Sequence, residues 1–256
     1  MSEIPFFQLT DAGRVRDRND DTVGHWPHED GIVCAVAPGV AGGAGGPAAS
    51  ALALGVIGRE MERSPGGWTV AKRLRRAVQE ANLEIYNKAI TVPDLRGMAT
   101  TLTASALVGG TLVAAHVGDC RLFLLRDRKL TQLTKDHTWV CEQVQHGALS
   151  AEDARVHPRR HFLTRCLGRE LIVGIDLLTL SVRADDVLLQ CSEGVHAALD
   201  EPEVAELLIA HPPEAACRAL VRRAREERGE DSVSVQVAAV AGFSPRGGGA
   251  WWRLGL

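Results

Sequence analysis

The sequence predicts an α+β fold in which two antiparallel sheets stack as a sandwich and helices cover the outer faces. Three observations point there. Between Thr101 and Leu133 the apolar pattern has period two, in short runs separated by Gly109-Gly110, Gly118-Asp119 and Asp127-Arg128. Strands joined that tightly pair antiparallel, because a parallel connection needs a dozen or more residues. Helical stretches stand before and after the strands, and strands flanked in this way bury their outer faces under helices. The last run, Ser232 to Val240, alternates Val233, Val235 and Val237 with Ser234 and Gln236, which places the valines inward and the polar side chains outward.

In chain order, Ile32 to Ala37 is a short apolar run that reads as a buried strand. Ala48 to Arg63 is proline-free and helical, and Ser64-Pro65-Gly66-Gly67 stops it. Trp68 to Ala89 is a second helix, with Val70, Leu74, Ala77, Val78, Ala81 and Ile85 on one stripe. The run Lys72-Arg73-Leu74-Arg75-Arg76 fits its solvated face. Thr101 to Val108, Thr111 to Val117, Arg121 to Arg126 and Lys129 to Leu133 follow as an antiparallel meander. Trp139 to Arg160 is a helical and loop insertion with a helix start at Ser150. Leu171 to Leu180 and Asp186 to Cys191 return to strand pattern. Helices follow at Pro202 to Ile209 and Pro213 to Arg225, with proline near each start. Residues 1–241 read as one domain. The glycine-rich stretch 242–256, which holds Trp251 and Trp252, reads as a flexible tail.

Composition narrows the function classes. A chain of 256 residues with 45% apolar and 24% charged content is an ordinary globular protein with room for a substantial core. A net charge of −3 gives no basic field for nucleic acid. Cys34, Cys120, Cys141, Cys166, Cys191 and Cys217 have neither CxxC pairs nor metal-ligand spacing, which suits buried free thiols in a reducing cytoplasm. No segment reads as a signal peptide or approaches the ~18 apolar residues of a membrane span. There is no Gly-x-Ser-x-Gly elbow, and the glycine run 42–46 lacks the lysine and hydroxyl residue of a phosphate loop. A Cys-His pair drawn from Cys120, Cys191, His116 and His196 stays open.

Isolated acids stand at predicted strand ends, far apart in the chain: Asp20, Asp21, Asp119, Glu193 and Asp231. That pattern suits hard cations such as Mg²⁺ and Mn²⁺, which take carboxylate and carbonyl oxygens. Paired cations of this kind lower the pKa of a bridging water and stabilise phosphoryl charge. The blocks around these acids are more specific than any one of them. Thr10 to Asp21 ends in Arg16-Asp17-Arg18-Asn19-Asp20-Asp21, and Gly97-Met98-Ala99-Thr100-Thr101 and His116-Val117-Gly118-Asp119-Cys120-Arg121 follow in order. Leu130 to His137, His157 to Gly168, Cys191-Ser192-Glu193-Gly194 and Glu230-Asp231-Ser232 complete the set. Together they resemble the type 2C (PPM-type) metal-dependent serine/threonine protein phosphatases, over residues 6 to 241 and closest to the bacterial members.

The resemblance implies a four-layer α-β-β-α sandwich, Mn²⁺ or Mg²⁺ as cofactor and a phosphoprotein substrate. It assigns Arg16 to the phosphate, and Asp20, Asp21, the Gly39 carbonyl, Asp119, Glu193 and Asp231 to metal. It also exposes departures. Asp20 stands for a glutamate, Cys120 for a serine and Glu193 for an aspartate, the last moving its oxygens by ~1.5 Å. Pro38 stands where the family has the aspartate that bridges two metal ions. Glu29 and Asp30, at the far end of the preceding strand, are about 8 residues or ~26 Å away at extended spacing and cannot replace it. The expected protein is therefore a weakly active phosphatase or a pseudophosphatase with fewer or weaker metal sites, binding a phosphoprotein, kinase or regulatory protein. The competing expectation is a working Mn²⁺- or Mg²⁺-dependent phosphatase with a rearranged site.

Overall fold

The structure, a computed structural model, describes residues 4–15, 17–28, 30–40, 45–64, 67–227 and 231–240. The chain begins with β1 (Phe6–Asp11), β2 (Asp21–His28) and β3 (Gly31–Pro38), then α1 (Gly45–Arg63) and α2 (Val70–Thr91). Strands β4 (Leu102–Val108), β5 (Thr111–Val117), β6 (Arg121–Arg126) and β7 (Lys129–Gln132) come next, then α3 (Trp139–Gln145) and α4 (Ala151–Val156). The rest is β8 (Asp176–Ser181), β9 (Val187–Cys191), α5 (Glu193–His196), α6 (Glu201–Ala210), α7 (Pro213–Glu227) and β10 (Val233–Ala239). One five-stranded sheet has the order β1-β10-β9-β6-β7 and the other β2-β3-β4-β5-β8, all neighbours antiparallel.

Apolar faces decide the layering. The stripe of α2 (Leu74, Ala77, Val78, Ala81 and Ile85) and the buried face of α1 pack on Val33, Ala35, Ala104 and Ala115 of the second sheet. Val204 and Leu208 of α6 and Leu220 of α7 cover Leu189, Val235 and Val237 of the first. Ile32, Leu112, Leu122, Leu124 and Leu188 fill the layer between the sheets. Each fully buried leucine contributes about 1.5–3 kcal/mol relative to exposure. Helix starts are capped as their sequences predict: Ser150 accepts from the Asp153 amide and Asp200 from the Glu203 amide.

Four expectations need correction. The meander is broken, because β4 and β5 lie in one sheet while β6 and β7 lie in the other. Gly118-Asp119 is therefore the crossover between sheets and not a hairpin. The polar face of β10 points into the sandwich: Ser234 and Gln236 are buried like the valines. Gln236 donates to the Gln8 side chain and to the Gly24 carbonyl of the opposite sheet, while Gln190 donates to the Thr103 carbonyl. Paired amides make a polar face stable inside. The strand read from Leu171 begins only at Asp176, since the preceding residues form the corner held by Asn82 of α2. Finally, β1 and β2 are strands that the apolar pattern did not reveal. The second is an edge strand, where Gly24 and Pro27 break the alternation yet cost no ladder bond. The stretch 242–256 lies outside the described residues.

Candidate active site

One end of the sandwich collects the starts of β2, β6 and β10 and the ends of β3, β5 and β9. The five carboxylates nominated by the sequence stand at that end: Asp20 and Asp21 lead into β2, Asp119 sits in the β5–β6 crossover, Glu193 follows β9 and Asp231 precedes β10. Side-chain hydrogen bonds tie the sheets together there. The Asp20 amide donates to the Ser232 hydroxyl at 3.2 Å, and the Ser234 hydroxyl donates to the Asp21 carboxylate at 2.7 Å. Arg16 lies outside the described residues. Its neighbour Arg18 donates from Nε to the Asp20 carboxylate at 3.1 Å.

Pro38 ends β3 directly opposite Asp21. Its carbonyl accepts from the Thr101 amide at 3.2 Å and lies 2.7 Å from the Thr100 hydroxyl. Without an amide hydrogen at residue 38, the Thr101 carbonyl has, among the described residues, only that same hydroxyl, at 2.9 Å. Gly39 follows, and its amide donates to the Asp20 carbonyl at 3.0 Å. A Cβ at Gly39 would fall 2.5 Å from the Gly46 carbonyl carbon, so only glycine lets the start of α1 approach this strand end. Gly118 is a second such position: its φ of +115° and a Cβ site 2.3 Å from Thr101 both exclude a side chain.

Asp119 is buried, and burial first, then the Glu193 and Asp136 charges, push its carboxyl well above the usual range. A cation beside it would reverse that balance. Its carbonyl accepts from Nε2 of His196 at 2.9 Å. Glu193 opens α5 and is hydrogen-bonded to His161 from the loop after α4. Arg121 grips Asp136 through Nε and Nη2, at 3.1 and 2.7 Å. Among the described residues no three His, Cys, Asp or Glu side chains are grouped to hold a metal ion.

Neither Cys120 nor Cys191 offers a nucleophile. Cys120 and Cys191 are fully buried, and burial pushes the Cys191 thiol up to about 12 and also holds the Cys120 thiol well above its ordinary value. His116 bonds Thr103 and the Lys135 carbonyl, and His196 bonds the Asp119 carbonyl, so no Cys-His pair forms among these residues. His161 and Ser234 are the contributors that sequence reasoning did not single out. Their partners are 32 and 213 positions away, and no local pattern marks such a pairing.

The protein phosphatase 2C family matches residues 12–236. The serine/threonine phosphatase stp of Listeria monocytogenes is 35% identical over 231 residues, covering 88% of this chain and 92% of that protein. Among solved structures, the serine/threonine phosphatase PstP/Ppp of Mycobacterium tuberculosis superimposes with a TM-score of 0.85 at 34% identity, covering 93% of this chain and 99% of that one. A structure of the PstP catalytic domain in complex with 2 manganese ions has a TM-score of 0.82 at 33% identity, covering 93% and 98%.

Proposed function

This chain belongs to the protein phosphatase 2C family, and we propose that within it the chain is a phosphoprotein-binding member with weak or no turnover. Its centre would hold fewer divalent cations than the 2 manganese ions of the PstP complex. The observation that carries this reading is Pro38. The residues present do not fit a bridged cation pair: Pro38 supplies no side-chain oxygen, and its carbonyl already accepts from Thr101. The nearest acids have partners of their own. Asp21 accepts from Ser234, Asp20 from Arg18, and Glu193 is bonded to His161. Asp119, Glu193 and Asp231 are the donors we assign to a single weak cation, which requires their carboxylates to draw together. Asp20, Asp21 and the Gly39 carbonyl are outer contributors. Arg16 is the proposed phosphate-binding guanidinium, a role suited to its planar fork. The substrate class that follows is a phosphoserine or phosphothreonine protein, with a kinase or other regulator as the alternative partner.

A second reading is a working Mn²⁺- or Mg²⁺-dependent phosphatase with a rearranged site. It is favoured by five carboxylates at one end of the sandwich, since hard cations relocate when enough oxygen donors remain. Calorimetric titration with Mn²⁺ separates the two. One weak site, with negligible turnover of a phosphothreonine peptide, is the expected result. Two tight sites and a turnover that Asp231→Ala abolishes would establish the second reading instead.

A further inference from the structure

Beside the carboxylate end lies a groove of about 810 Å³, within the range of about 300–1,000 Å³ typical of ligand sites. The last turns of α2, the turn at Pro93–Leu95 and the corner at Gly168-Arg169 enclose it. Val40, the residue after Gly39, is part of the lining, so groove and candidate active site are neighbours. Its apolar surface includes Tyr86, Ile90 and Val92, and Ile90 is 65% exposed. Two guanidinium groups line it, Arg96 and Arg169, and no carboxylate is among the lining residues. Arg96 makes no ion pair among the described residues, and Arg169 donates only to the Leu163 carbonyl, at 3.2 Å.

The segment that leads into this corner has the same sign of charge. Residues 154–169 include Arg155, Arg159, Arg160, Arg165 and Arg169 and no aspartate or glutamate, in a chain of net charge −3. Arg165 is paired with Asp176 and Arg159 lies over the Trp139 ring, whereas Arg155 and Arg160 have no ion pair among the described residues. Exposed arginines are ordinary when they stand alone on a convex surface. Arg96 and Arg169 instead line a concave apolar surface, and guanidinium groups on a lining without a carboxylate are matched by carboxylate or phosphate oxygens from elsewhere.

We propose that this groove binds the stretch of phosphoprotein chain flanking the phosphorylated residue, and that Arg96 and Arg169 select flanks carrying acidic side chains next to an apolar one. The proposal rests on the reading that the neighbouring site receives a phosphorylated serine or threonine. Its test uses the full chain and two fluorescent phosphothreonine peptides, identical except that Glu in the flank of one is Gln in the other. Anisotropy titrations should give about tenfold tighter binding of the Glu peptide, a difference of about 1.4 kcal/mol. The preference should shrink in Arg96→Glu and vanish in the double variant with Arg169→Glu, and it should weaken as salt rises. Arg96→Glu alone keeps the test valid if the double variant folds poorly, because no hydrogen bond or ion pair of the described residues uses the Arg96 side chain. Equal affinity for both phosphopeptides, or a preference undiminished in Arg96→Glu, overturns the groove assignment and leaves the reading of the site standing. Binding of neither phosphopeptide overturns both.

Discussion

Pro38 acts twice, once through the carboxylate it lacks and once through the amide hydrogen it lacks. Pro38→Asp restores a side-chain oxygen opposite Asp21 and a donor opposite the Thr101 carbonyl. It should raise Mn²⁺ affinity about tenfold or more without loss of thermal stability. Unchanged calorimetric affinity would mean that Asp20 and Glu193 are also out of place. His116 gives a second prediction. Burial first, and the neighbouring His137 second, hold its imidazole down at about 4, against about 6.5 in an unfolded chain. The folded protein keeps His116 neutral where the unfolded chain takes up a proton. Its contribution is complete above pH 6.5 and is lost as pH falls from 6.5 toward 4, by up to about 3 kcal/mol. Urea midpoints between pH 7.5 and 4.5 should fall less steeply in His116→Gln than in the parent, and equal slopes would refute the assignment.

At the scale of elements, α2 is the hinge between core and groove. Its Asn82 is buried, accepts from the Gly168 amide at 2.9 Å and donates to the Glu170 and Leu171 carbonyls at 3.0 and 3.1 Å. One side chain thus holds the corner that presents Arg169. Asn82→Ala leaves the buried Gly168 amide unpaired and should cost about 2 kcal/mol, read as a lower urea midpoint with an unchanged slope. A loss below about 0.5 kcal/mol would show that the corner holds itself. Elements differ in how far their own residues announce them. The two long helices and strands β4, β5 and β6 were legible to within a few residues, because each has a continuous apolar period. The strands β1 and β2 were not, since both are sheet edges of half-buried residues and an edge strand needs no clean alternation.

For the whole molecule, two sheets and two helical layers leave five of the six cysteines buried. Burial pushes Cys34 far up and holds Cys191 and Cys217 at about 12. In the folded protein only Cys141, which is half-buried, should react quickly with a thiol reagent at pH 8, and the other five should follow global unfolding. Two or more fast thiols would indicate that a sheet edge opens far more readily than this packing implies. The motif blocks identified the family and nominated five of the acids that stand at one end of the sandwich, because strand-end acids and turn glycines are local and survive as short patterns. Pro38 was also legible as a departure, since one missing oxygen is visible letter by letter. The β5–β6 crossover, the inward polar face of β10, the Glu193–His161 contact and the basic groove depended on which sheet each strand joined. Sheet membership is set by burial summed over both faces of all ten strands, and a local run of residues has no access to the partner on its far side.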